Sequence, residues 1–96
     1  MQIQKNQKAS ISSEVLFQEV NGETVLLDLV SENYFGLDEI GTRIWGLLKS
    51  GSSIGETMDT LMDEYEVERE AMENDVGVLL EKLVEAGLIE LKGMSG

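Results

Sequence analysis

The chain has 96 residues, 42% of them hydrophobic, and its 19 acidic and 7 basic residues give a formal net charge of −12. This length fits one domain with a modest core, and the charge disfavours nucleic acid and anionic lipid as partners because both repel an acidic surface. The absence of histidine and cysteine excludes disulfides, thiol nucleophiles and histidine bases, so we expect a protein that is not an enzyme and has no metal or cofactor.

The first residues, 1–12, are polar and lack hydrophobic periodicity, which predicts a flexible tail before a folded domain at 13–92 and a short tail at 93–96. The N-terminus has no apolar segment typical of a signal peptide, and no run of about 18 apolar residues predicts a transmembrane helix. We therefore expect a cytoplasmic protein that has no membrane partner.

The dipeptide Asn21-Gly22 separates two segments rich in β-formers, residues 14–20 and 23–30. This pattern predicts a hairpin with a type I′ turn, which needs positive φ at both central residues. A two-residue loop would give the pairs Val20 with Glu23, Gln18 with Val25, and Leu16 with Leu27. In the second strand, one face is wholly apolar (Val25, Leu27, Leu29) and the other is mixed (Leu26, Asp28, Val30).

Residues 34–37 form a short third strand after a turn at 31–33, and we expect Phe35 and Leu37 to face the core. Because this strand directly precedes the helices, it is predicted to lie at an edge of the sheet. The edge strand either simply ends the sheet or is left free to accept a strand from another peptide, and the pattern alone favours neither.

Three helices follow the strands. Asp38 is a suitable N-cap for the first helix, 39–49, and Ser53 with Glu56 forms a capping box for the second. The third, about 68–86, ends before Gly87, and residues 88–91 form a last strand or an apolar cover. The order β-β-β-α-α-α with a possible final strand predicts an α+β domain, with helices on one face of a three-stranded antiparallel sheet.

Acidic residues are concentrated where the second helix gives way to the third, and Arg69 interrupts them. A cation site or a docking patch is one interpretation, and a solvated surface near a helix N-terminus is the simpler one. The acids concerned are Asp63, Glu64, Glu66, Glu68, Glu70, Glu73 and Asp75.

Three segments together resemble the PqqD-like family, the leader-recognition elements for ribosomally made and modified peptides. They are VLLDL at 25–29, YFGLDEIGTRIWGLL at 34–48 and DVGVLLEKLVEAGLI at 75–89. The family pattern falls here on Tyr34, Leu37-Asp38, Gly41, Ile44-Trp45 and Gly87-Leu88. The resemblance covers roughly residues 14–91, which is nearly the whole of the folded part.

The resemblance implies a winged-helix-like fold and a function in which a precursor's leader segment adds as a strand to the third strand and packs against the third helix. Within the family, the sequence motif is most similar to that of the stand-alone leader-binding protein of lasso-peptide pathways. That protein delivers the precursor to a leader peptidase. A peptide chaperone for a radical enzyme in quinone-cofactor synthesis is the near alternative.

The expected peptide-binding residues lie on the third strand and the third helix. They are Asn33, Tyr34, Phe35, Gly36, Leu37, Asp75, Val76, Leu79, Lys82 and Leu83. The margin of the helix near Asp75, Val78 and Lys82 is the side expected to border a groove. A winged-helix nucleic-acid binder is the alternative class, but the third helix has too few basic residues for it.

Overall fold

A computed structural model describes residues 4–93 of the chain. Its elements, in chain order, are β1 (Lys8–Ile11), β2 (Val15–Val20), β3 (Glu23–Asp28), β4 (Tyr34–Leu37), α1 (Glu39–Lys49), α2 (Ile54–Glu64), α3 (Arg69–Glu85) and β5 (Ile89–Lys92). The main sheet is three-stranded and antiparallel in the order β2-β3-β4, and β1 pairs with β5 in a second sheet. The predicted α+β class, with a three-stranded sheet followed by three helices, is confirmed.

The hairpin between β2 and β3 has the register that the sequence predicts. Val20 pairs with Glu23, Gln18 with Val25 and Leu16 with Leu27. Asn21 has φ 54° and Gly22 has φ 82°, so both central residues adopt the positive φ of the turn. The next strand, β4, pairs with β3 so that Phe35 lies opposite Leu26 and Gly36 lies opposite Val25.

The helices cover the mixed face of β3, and the wholly apolar face points outward. Leu26 is fully buried, whereas Val25 and Leu29 are each 45% exposed. Leu26 shares the inner face with Phe17, whose ring packs edge-on against Trp45 of α1 at 6.1 Å. Contact with α1 therefore decides which face is buried, and an apolar outer face is left on the sheet.

The predicted tail at 1–12 contains a strand, because β1 lies within it. Ala9 pairs with Leu91 and Ile11 with Ile89, so the final strand supplies the ladder that β1 needs. The backbone carbonyls of Lys5 and Gln7 accept hydrogen bonds from the first two N–H groups of α2. Ordering of this segment therefore depends on partners far away in sequence, and residues 1–3 lie outside the described residues.

The starts of α1 and α2 and the end of α3 lie where their capping residues predict. The Asp38 carboxylate accepts a hydrogen bond from the Gly41 N–H at 2.7 Å, and Ser53 and Glu56 form the reciprocal capping box. Gly87 has φ 75° directly after α3, as expected of a residue that follows a helix.

The core lies between the inner face of the sheet and the three helices. Its fully buried members are Leu26, Ile44, Ile54, Leu61, Val76, Leu80, Leu83, Leu88 and Thr57. Leu37 is buried and Phe35 packs partly against this core, in line with the inward orientation predicted for both. Within residues 4–93 no helix combines the length and apolarity that a membrane crossing requires.

Candidate functional site

The outer edge of β4 is unpaired among the residues that the structure describes, since β4 neighbours only β3 in the sheet. The Asp28 N–H donates a hydrogen bond to the Asn33 carbonyl at 3.0 Å. Asp28 and Asn33 are therefore a hydrogen-bonded pair, and this determines which residues of β4 bond to β3. Because hydrogen-bonded pairs alternate along antiparallel strands, Phe35 and Leu37 direct their backbone groups toward β3. Tyr34 and Gly36 therefore present their N–H and C=O groups to the open edge.

A groove of about 610 Å³ lies beside this edge. One wall is β4 with the start of α1, and the other is α3. The lining residues are Phe35, Gly36, Leu37, Asp38, Ile40, Gly41, Ile44, Asn74, Asp75, Val78, Leu79 and Lys82. The groove is therefore positioned to receive the side chains of a strand that pairs with β4.

One face of α3 forms the helical wall. Asp75, Val78, Leu79 and Lys82 follow the spacing i, i+3, i+4 and i+7, which places them on one stripe of the helix. Val78 is 44% exposed, so its apolar surface is available to a ligand. A carboxylate and an ammonium group thus stand two helical turns apart on either side of an apolar centre.

Gly41 allows α1 to pack closely at the floor of the groove. A β-carbon at this position would lie 3.3 Å from the Leu37 Cβ and 3.2 Å from the Asp38 Oδ1. The Asp38 carboxylate is already occupied in capping the helix. A glycine that disfavours the helix is therefore explained by close packing at the junction of β4 and α1.

The structure brings six of the ten predicted site residues into the groove. They are Phe35, Gly36, Leu37, Asp75, Leu79 and Lys82. Asn33 and Tyr34 are exposed outside the groove lining, and Tyr34 lies on the open edge. Val76 and Leu83 are buried in the core at 1% and 0% exposure, so their side chains are not accessible to a ligand in this conformation.

Five further lining residues were not identified from the sequence. They are Asp38, Ile40, Gly41, Ile44 and Asn74. Ile40 and Ile44 lie one turn apart on α1, and they border the same groove as the residues of α3. The sequence signal that points to this region is Gly41 itself, a glycine inside a helix between two apolar residues, where glycine is unfavourable.

Two members of the acidic run at the α2–α3 junction, Glu64 and Glu73, are in separate ion pairs. Arg69 contacts Asp59 and Glu73, each at 3.2 Å. Arg43 binds Glu64 through two nitrogens, and this hydrogen bonding holds the pKa of Glu64 below its ordinary value. Among residues 4–93 no three potential metal-ligating side chains cluster closely enough to hold an ion.

The sheet, the three helices after it and the open edge above a groove define a small winged-helix-like domain. The chain belongs to the PqqD family, since the family model described as coenzyme PQQ synthesis protein D matches residues 23–89. No curated protein matches the chain.

Two solved structures are similar to the chain over most of its length. One is TbiB1 in complex with the TbiA(β) leader peptide, which is 40% identical, with a TM-score of 0.79 and coverage of 83% of this chain and 93% of that one. The other is lasso peptide synthetase B1 complexed with the leader peptide, which is 30% identical, with a TM-score of 0.79 and coverage of 86% and 98%.

Proposed function

We propose that this protein binds the leader segment of a precursor peptide by adding it as a strand to β4, without catalysing a reaction itself. It then delivers the precursor to a leader peptidase in lasso-peptide biosynthesis. The observation that carries the proposal is the unpaired backbone of Tyr34 and Gly36 beside the groove. Support also comes from the two similar proteins, whose structures hold leader peptides.

In strand addition, affinity and specificity come from different contacts. Backbone hydrogen bonds to the edge of β4 bind any extended peptide, and alternate side chains of that peptide enter the groove. Phe35, Leu79 and Val78 offer apolar contacts there, and a few buried anchors dominate such interfaces. We expect a dissociation constant between about one micromolar and one nanomolar, as an ordinary interface of this kind gives.

A peptide chaperone for a radical enzyme in quinone-cofactor synthesis is the second candidate, and the description of the family model favours it. It would use the same edge and groove, so the two functions differ in the leader that is bound. A winged-helix nucleic-acid binder is disfavoured because α3 carries only Arg69 and Lys82 against Glu70, Glu73, Asp75, Glu81 and Glu85.

Titration of the protein with fluorescently labelled TbiA(β) leader peptide tests the proposal, with a matched pair of variants as the control. Val78 in the groove and Val67 outside it are 44% and 41% exposed. We expect Val78→Asp to weaken binding at least about tenfold, because a carboxylate is placed on the apolar wall. Val67→Asp should bind as the unchanged protein does. Equal effects of both variants would contradict the assignment of the groove.

Delivery to a peptidase and a cytoplasmic location remain predictions. Delivery is tested by measuring cleavage of the TbiA(β) precursor by its leader peptidase with and without this protein. We expect faster cleavage with the protein and no acceleration with Val78→Asp. An equal rate in all three reactions would argue against delivery.

A further inference from the structure

Gly36 lines the groove through its backbone, but its missing side chain leaves a gap on the opposite, outer face of the sheet. A β-carbon built on Gly36 would meet nothing within 4 Å. Its neighbours on this face are apolar: Val25 lies directly opposite on β3 and is 45% exposed, and Tyr34 lies two residues away on β4 and is 74% exposed. The gap therefore has an apolar border on both described sides.

Nothing in the described chain requires glycine at position 36. Its φ is not positive, unlike that of Gly22, Gly51 and Gly87, so the backbone conformation is open to other residues. Packing does not require it either, because a side chain would have free space. Glycine is also unfavourable within a strand. The position therefore fits a role in contact with something outside the chain.

An added strand would place one of its side chains over this gap. A residue directly opposite Gly36 points to the same face as Gly36, whether the added strand is parallel or antiparallel. The preceding and following residues of that strand point the other way, into the groove. The leader residue opposite Gly36 therefore places its side chain on the outer face of the sheet, next to Tyr34.

We propose that the leader residue opposite Gly36 carries a large apolar side chain, preferably aromatic, that lies over Gly36 and contacts Val25 and Tyr34. This inference rests on the proposed function and names one specificity position that the groove does not provide. A ring across from a strand glycine covers the exposed backbone and compensates for the missing side chain. An aromatic side chain also brings the largest apolar area that one residue can bury.

The position is found by a scan of the TbiA(β) leader peptide, in which each residue in turn is replaced by Ala and by Lys. Binding of every peptide is measured with the unchanged protein, with Val25→Thr and with the control Val20→Thr. Val20 is 52% exposed and lies at the far end of β2, so it should not contact the ligand. Threonine keeps the β-branched shape and replaces one apolar contact with a hydroxyl.

We expect one leader position at which Ala weakens binding about fivefold or more, as loss of a cross-strand aromatic pair implies. The loss at this position should shrink with Val25→Thr and stay unchanged with Val20→Thr. In Gly36→Asp, the same position should come to prefer Lys over an aromatic residue, because a carboxylate then lies beneath it. Aspartate is also unfavourable in a strand, but this effect would lower the affinity of every leader peptide equally and would not change their ranking.

The two failures are distinguishable. If the leader binds but no position couples to Val25 and Gly36→Asp leaves the ranking unchanged, this inference is wrong and strand addition stands. If no leader peptide binds the unchanged protein, the proposed function fails and this inference fails with it.

Discussion

Gly41 lies so close to Leu37 that a β-carbon on residue 41 would be 3.3 Å from the Leu37 Cβ. Leu37 is 4% exposed, so it has little room to move away. This contact joins the end of the edge strand to the first turn of α1. The shape of the groove floor therefore depends on Gly41 having no side chain.

Gly41→Ala and Gly46→Ala should therefore have different effects on stability, although both remove a glycine from α1. Alanine favours a helix over glycine by about 1 kcal/mol, and at position 46 a β-carbon meets nothing within 4 Å. We expect Gly46→Ala to raise the free energy of unfolding by about this amount. At position 41 the gain should be cancelled by contact with Leu37 and the Asp38 cap. Urea unfolding measures both, and an equal gain at both positions would contradict the close packing.

Tyr34→Ala and Phe35→Ala should separate binding from folding. Tyr34 is 74% exposed, so its truncation should leave the melting temperature nearly unchanged and weaken leader binding. Phe35 packs partly against the core, so its truncation should lower both stability and affinity. Each variant is melted and then titrated with labelled TbiA(β) leader. Normal binding by folded Tyr34→Ala would remove Tyr34 from the site.

Gly36→Pro should weaken leader binding about tenfold while the fold is kept. Proline lacks an N–H group, and a sheet tolerates it where that group would point to solvent at an edge. The Gly36 N–H points to the open edge, so its loss should spare the β3–β4 ladder and remove one hydrogen bond to the leader. Gly36→Ala is the control, because it keeps the N–H. Unfolding of Gly36→Pro with a stable Gly36→Ala would show that this N–H already has a partner within the chain.

The ion pair between Arg43 and Glu64 should contribute stability only above the acidic range. Hydrogen bonding from Arg43 lowers the pKa of Glu64 below its ordinary value of 4.5. A carboxyl whose pKa is lower in the folded state stabilises the fold above its ordinary pKa, and this contribution is lost as the pH falls through the lowered value. Wild type should exceed Glu64→Gln in stability at neutral pH, and the difference should vanish in acid. A difference independent of pH would contradict this role.

Local patterns predicted most of the main sheet and the helices. Asn21-Gly22 fixes the hairpin register through its turn geometry, and Ser53 with Glu56 fixes the start of α2. These signals lie within a few residues of the structure that they determine. They could therefore be read without knowledge of the rest of the fold.

The inner and outer faces of β3 could not be assigned from its own residues. Three apolar residues on one face suggest a core, yet Leu26 on the mixed face is the one that is buried. Its burial depends on α1, because Trp45 of this helix packs against Phe17, which lies next to Leu26 on the same face. The strand β1 was missed for the same reason, because its ladder is supplied by β5 at the other end of the chain.

The groove was predicted in part for a similar reason. The third helix shows its apolar stripe in the sequence, but periodicity does not separate buried Val76 and Leu83 from the accessible margin at Val78 and Leu79. That separation depends on how α3 is rotated against the sheet. The α1 side of the groove depends on the close approach at Gly41, which only the tertiary structure reveals.

Amide hydrogen exchange along β4, with and without the TbiA(β) leader peptide, is the most direct test of strand addition. In the free protein, the Phe35 and Leu37 amides should be protected by β3, and the Tyr34 and Gly36 amides should exchange rapidly. Saturating leader should slow exchange at Tyr34 and Gly36. Tight binding that leaves both of these amides in rapid exchange would contradict strand addition at this edge.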